Sequence, residues 1–292
     1  MEVILTIIRE STPLFLTGVF VFGLLTGSFL NVVILRVPAG MFHEWRCQCK
    51  ELLELNDPEP TDKPPNIFWN RSHCPGCGHV IAAHENIPLI SYVFLGGKCA
   101  SCKQRISIRY PIIEAVTALM FLAIAWYFGP TVQALAAMVL AAFLIALTGI
   151  DVDHQLLPDN ITLPLIWMGL LLSLFNVFVD PATSIIGALA GYFTLWTIFQ
   201  LFKLLTGKEG MGYGDFKLLA ALGAWMGWQM IPLIVLLSSV VGAAFGITLI
   251  ILRRHQSDQP MPFGPFIAAA GLIALIWGDQ IISVYLSSSG LR

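Results

Sequence analysis

Eight stretches of the chain are almost free of charge and are separated by polar joints: residues 14–35, 112–128, 132–150, 161–179, 184–202, 216–228, 231–252 and 263–285. Most approach the roughly 20 apolar residues that carry a helix across a bilayer. The pattern predicts an all-α polytopic membrane protein with about eight transmembrane helices. The run 216–228 is the short one: at about 1.5 Å per residue it does not cover a hydrocarbon core about 30 Å thick. Partial helices of this kind are tolerated where they line a water-filled cavity, so the residues that flank this run become candidates for a site. The run 14–35 is expected to remain as a membrane helix rather than to be cleaved as a signal peptide. Only Arg9 supplies a basic residue ahead of it, and no small-residue cleavage site follows.

Composition supports the membrane assignment. Hydrophobic residues make up 57% and charged residues 12% of the chain, against about 25% charged in soluble domains, and the mean hydropathy is +0.77. Threading the runs alternately places all but Arg9 and Arg292 of the 16 Lys and Arg on one side. Basic residues near helix ends stay in the cytosol, which puts both termini outside and the loop 37–110 inside. The division expected is a first transmembrane helix (1–38), a cytosolic metal-binding insertion (39–110) and a membrane helical bundle (111–292). A net charge of −2 gives no reason to invoke nucleic acid, and no internal repeat is evident.

All six cysteines fall in the cytosolic loop, where a reducing compartment disfavours disulfides. Cys74-Pro-Gly-Cys77 and Cys99-Ala-Ser-Cys102 form two Cys-x2-Cys knuckles with 21 residues between them, a set of four thiolates suited to tetrahedral Zn²⁺. Four protein ligands leave no open position, so the ion is expected to be structural. His73, His79 and His84 lie close by but are redundant as ligands and read as loop residues. Cys47 and Cys49 have no partner pair at the right spacing and read as free thiols. The acidic, proline-rich segment 51–65 reads as a linker.

Carboxylates at the rim of a membrane are costly and each requires an account. Asp159 and Asp180 precede apolar runs and are expected as N-caps, Asp180 with Pro181 at the first helical turn. Asp279 sits beside Trp277 near the outer interface. Glu114, one turn into its helix, reads either as structural or as support for a site. Asp151 and Asp215 fall at cytosolic helix ends at one depth. Singly, Asp215 reads as a further N-cap and Asp151 as a solvated helix end. As a pair they suggest two carboxylates sharing a proton, one activating water while the other polarises a scissile carbonyl. Gly210, Gly212 and Gly214 would then give the chain conformations barred to residues with a Cβ and let a substrate backbone approach. Gly212, Gly214 and Lys217 are the site's expected supports, with Glu114. No His-Glu-x-x-His, Gly-x-Ser-x-Gly or phosphate-loop motif is present.

The segments MGYGDFKLLAALG at 211–223 and IDVDHQLLPD at 150–159 resemble the two motifs of the bacterial type IV prepilin peptidases, polytopic Gly-x-Gly-Asp aspartic proteases. The likeness extends to GSFLNVVILRVP at 27–38, to both cysteine knuckles and to RISIRYP at 105–111. The resemblance implies that Asp151 and Asp215 are catalytic and that the cysteines bind zinc in a small zinc-ribbon-like insertion. It implies a bacterial inner-membrane enzyme whose active site and zinc domain face the cytoplasm. Its partners would be prepilins and pseudopilins of type IV pilus and type II secretion systems, besides membrane lipid. Their basic leader would be cut after glycine, and the new N-terminus methylated from S-adenosylmethionine. The resemblance associates methyl transfer with the zinc loop, and Gly97 and Lys98 are the residues considered for it. From chemistry alone a proton-coupled transporter, with Asp151 and Asp215 as relay, is the alternative.

Overall fold

The structure, a computed structural model, describes residues 12–54, 64–67, 70–208, 210–252 and 261–290. Residues 55–63 of the predicted linker, and Arg9, Arg253, Arg254 and Arg292 of the charge argument, lie outside the described residues. Among the described residues there are helices and two isolated β-bridges, His73 with Val80 and Lys98 with Arg105, and no strands. The chain divides into two compact units, Met1–Pro130 and Thr131–Arg292.

In the first unit a long helix α1 (Thr12–Leu52) packs along α3 (Arg109–Phe128), and a short helix α2 (Ile90–Phe94) lies between them in sequence. At about 1.5 Å per residue, the 41 residues of α1 extend to about 60 Å, twice a hydrocarbon core. The helix therefore outlasts the apolar run ending at residue 35 and carries Arg36, Arg46 and Lys50 beyond it. The α1–α3 seam buries Leu30, Ile34, Ala118, Phe121 and Ile124. Asn31 is buried in that seam, and its amide donates to the carbonyls of Gly27 and Tyr110, each at 3.2 Å.

The second unit is built from α4 (Val132–His154), α5 (Asp159–Ser173), α6 (Pro181–Thr206), α7 (Tyr213–Met226), α8 (Ile231–Ile251) and α9 (Gly264–Ser288). Asp180 caps α6 as expected, accepting the N–H groups of Ala182 and Thr183 ahead of Pro181. Asp159 does not cap α5. Pro158 occupies the N-cap position, and the Asp159 carboxylate instead takes the Lys217 ammonium at 2.6 Å.

The short helix α7 is the centre of this unit. Between residues 215 and 226 every side chain except Lys217 is buried, packed against α5, α6 and α9. At 14 residues it runs about 21 Å, and it tolerates that shortfall because protein surrounds it along its length. Trp225 donates its indole N–H to the Leu165 carbonyl at 2.8 Å, and Ser184 donates to Ala224 O at 2.5 Å, tying α7 to both flanking helices. The α6–α7 crossing is close because Gly187 and Gly223 face each other, and a Cβ at residue 187 would lie 2.8 Å from the carbonyl carbon of Gly223.

Among the described residues six helices are long and apolar enough to cross a membrane: α1, α3, α4, α6, α8 with its preceding turn, and α9. With α5 and α7 they account for the eight runs, as a multi-pass membrane protein. Gly187→Ala is expected to force α6 and α7 apart, costing about 1–3 kcal/mol, while Gly18→Ala, within α1 where a Cβ would meet nothing within 4 Å, leaves stability unchanged or slightly raised. Thermal unfolding of the two variants in detergent checks this, through a lowered Tm for Gly187→Ala alone.

Candidate active site and metal centre

Asp151 occupies the last turn of α4 and is 4% exposed. Its Oδ2 accepts the backbone N–H of Gly264, the first residue of α9, at 2.9 Å. That approach requires glycine, because a Cβ at 264 would stand 2.7 Å from the same oxygen. Asp215 lies in the first turn of α7 and is 7% exposed. It is not the N-cap. Gly212 fills that position, and the Asp215 carboxylate, three residues on, reaches back to the Gly212 backbone at the helix start.

Leu157, in the joint between α4 and α5, brings the two acids into one neighbourhood. Its side chain lies against the Cα of Gly214, where a Cβ would be 2.7 Å away, and against Gly264, where a Cβ would be 3.2 Å away. The two carboxylates are near enough to interact electrostatically. The alternate glycines act differently from the expectation above. Gly212 is extended (φ −83°, ψ 149°), and none of Gly210, Gly212 and Gly214 has positive φ. Gly214 supplies room for Leu157, not an unusual backbone.

The other expected supports are distributed. Lys217 is engaged with Asp159. Glu114 belongs to the first unit, where its carboxylate accepts the Leu89 N–H at 2.8 Å. Gly97 and Lys98 lie beside the cysteine knuckles. Gly97 has φ +67°, donates to Tyr92 O and accepts from Ile106 N–H, and Lys98 is exposed.

The four cysteine sulfurs of residues 74, 77, 99 and 102 all lie within 4.8 Å of one another. Cys74 and Cys102 Sγ are 3.8 Å apart, the separation of about 3.8 Å that tetrahedral geometry with a Zn–S bond near 2.3 Å demands. The two knuckles are built alike. In each, the residue after the second cysteine returns its N–H to the carbonyl of the first, Gly78 to Cys74 and Lys103 to Cys99, from positive φ of 71° and 60°. The donor set fits Zn²⁺ with no remaining protein ligand needed. His79 is occupied elsewhere, with Nε2 3.0 Å from Glu85. The Glu85 carboxyl is held below its ordinary range by the Ala82 N–H and by His79. Cys47 stands apart from this cluster, 3.8 Å from His43 Nε2.

The reading of the sequence missed Gly264 and Leu157. The signal for Gly264 was Pro262-Phe-Gly-Pro-Phe266, a glycine framed by prolines at a helix start, which composition alone presents as the edge of a span.

Two family profiles match the chain: residues 21–128 fit the bacterial peptidase A24 N-terminal domain, and residues 138–247 fit the type IV leader peptidase family. The chain is 52% identical over 283 residues, 97% of each chain, to a prepilin leader peptidase/N-methyltransferase of Pseudomonas aeruginosa. It is 53% identical to the protein of that name from Aeromonas hydrophila, over 94% of this chain and 95% of the relative. With the one from Legionella pneumophila the identity is 44%, over 91% and 92%. No solved structure matches.

Elemental analysis of the purified protein is expected to find about one zinc per chain. Cys99→Ser should lose it together with the fold of the knuckles, and Cys47→Ser should retain it.

Proposed function

The chain belongs to the type IV leader peptidase family, and from that premise we propose that Asp151 and Asp215 form an aspartic protease centre that removes the leader of prepilins and pseudopilins. The observation that carries the reading is two buried carboxylates, at the end of one membrane helix and the start of another, close enough to interact and joined through Leu157. Two such groups in a water-poor site share one proton. The ionised carboxylate takes a proton from water, whose oxygen attacks the carbonyl carbon of the leader glycine. The protonated carboxyl donates to the carbonyl oxygen, and the tetrahedral intermediate collapses as the departing nitrogen is protonated. No covalent intermediate with the enzyme is needed. Gly264 acts here as a positioning residue, because its N–H holds one Asp151 oxygen and leaves the other for the water.

The site lies at the cytosolic face of the bacterial inner membrane, where the basic leader of a prepilin stays while its apolar helix enters the bilayer. The same protein then methylates the exposed N-terminus, with S-adenosylmethionine as methyl donor. Residues 39–110 form the zinc-binding insertion between the first transmembrane helix, 1–38, and the protease bundle, 111–292. The four cysteines hold one structural Zn²⁺ there, which orders the loop near Gly97 and Lys98. Both backbone groups of Gly97 are used within that loop, so the exposed Lys98 side chain is the group available to meet the donor's carboxylate. The relatives are peptidases and methyltransferases by name, and no feature of the chain favours a proton-coupled transporter over them.

Mass spectrometry of a prepilin incubated with detergent-solubilised protein and S-adenosylmethionine tests the proposal. Wild type should yield a product shortened at the leader glycine and one methyl group heavier. Asp151→Asn and Asp215→Asn should each reduce cleavage by about 10³-fold or more. Precursor cut at an undiminished rate by both variants would sink the assignment. Gly264→Ala should lower kcat for cleavage by about 10²-fold, the cost of displacing a catalytic group by roughly 1 Å, with methylation of a pre-cleaved peptide and zinc content unchanged.

A further inference from the structure

The segment 89–97 of the first unit is shaped as a finger whose tip is apolar and uncovered. It opens on Leu89 at φ +58°, a conformation unfavourable for a branched side chain. The 8%-exposed Glu114 carboxylate pins that residue by accepting its N–H at 2.8 Å. The five-residue helix α2 follows, and the finger closes through Gly96 and Gly97, both at positive φ. Gly97 donates to Tyr92 O, and the Tyr92 hydroxyl donates to the Ile106 carbonyl. A helix this short has no stability of its own. It persists because Glu114, the two glycines and Tyr92 hold it. What it presents is Ile90 at 52%, Val93 at 76% and Phe94 at 86% exposure.

We propose that this finger is a membrane-surface anchor, inserting Ile90, Val93 and Phe94 into the boundary between phospholipid headgroups and acyl chains. Its depth supports a lipid occupant. Glu114 lies five residues past Arg109, the start of α3, or about 7.5 Å along the axis of a membrane-spanning helix, and its side chain leans back toward the helix start. The backbone of Leu89 is thereby held near the level of the basic residue that marks the headgroups, within the roughly 5–10 Å to which interfacial helices sink. Apolar side chains are uncovered on the adjoining α3 region as well, with Ile108, Ile112 and Leu119 at 65%, 50% and 57% exposure. Charge is complementary: Lys103 and Arg105, both exposed, follow the finger in the loop that leads to α3, and anionic headgroups attract such groups at a membrane surface. The anchor would hold the zinc knuckles, which begin again at Cys99, against the bilayer.

The test places the photoreactive residue p-benzoylphenylalanine at position 94 of the full chain in vesicles of phosphatidylcholine and phosphatidylglycerol, with the same residue at 119 as a lipid-facing reference. After irradiation the expected intact mass is higher by one phospholipid at both positions. An adduct from position 94 to another segment of the chain, to a second copy or to an added prepilin would overturn the proposal. So would no adduct at 94 when 119 reacts. Zinc content equal to wild type establishes that the labelled chain is folded.

Discussion

A carboxylate at the end of a membrane helix has to find its partners inside the protein, because lipid offers none. Asp151 finds one in the N–H of Gly264, and much of the second unit can be understood from that bond. It joins the end of α4 to the beginning of α9, and it requires a residue without a side chain at 264. The free N–H groups at the start of a helix are otherwise a burden in an apolar setting. Here one of them meets a buried acid. Two unsatisfied ends cancel each other at the place where the chemistry is proposed.

The second acid is placed by a different device. Asp215 rides on α7, a helix too short to face lipid from end to end and therefore wrapped by α5, α6 and α9. Close crossing at Gly187 and Gly223 and the bonds from Trp225 and Ser184 fix its height and rotation. A side chain in the first turn of such a helix inherits that rigidity. The pair is thus carried on structural elements and not on loops, the arrangement that holds reacting groups to small tolerances.

Much of this was legible in the residues. The eight apolar runs correspond to eight helices, because in a bilayer apolar length and helix formation are nearly one constraint. The four cysteines announced their cluster through spacing alone, and the Asp180-Pro181 cap through local chemistry. What escaped was non-local or depended on volume. Gly264 is 113 positions from Asp151, and no periodicity links them. Gly214 was credited with backbone freedom when its contribution is space for Leu157, a distinction that only packing reveals. Asp159 has the composition of an N-cap, but Lys217, from a helix 58 positions on, competes for it with a full charge. The continuation of α1 past residue 35 was hidden for a related reason: once outside lipid a helix no longer needs apolar residues, so hydropathy goes silent while the backbone continues.

The bond between Asp151 and Gly264 also bears on the order in which the proposed centre is assembled. Helix α9 follows every other described helix along the chain, so a ribosome delivers α4, α5 and α7, with both acids, to the membrane before the residue that orients one of them exists. During that interval the two carboxylates are present but unaligned. For the proposed centre the order of synthesis would then act as a safety catch, since a chain that stops before residue 264 carries both acids without the backbone group that orients Asp151.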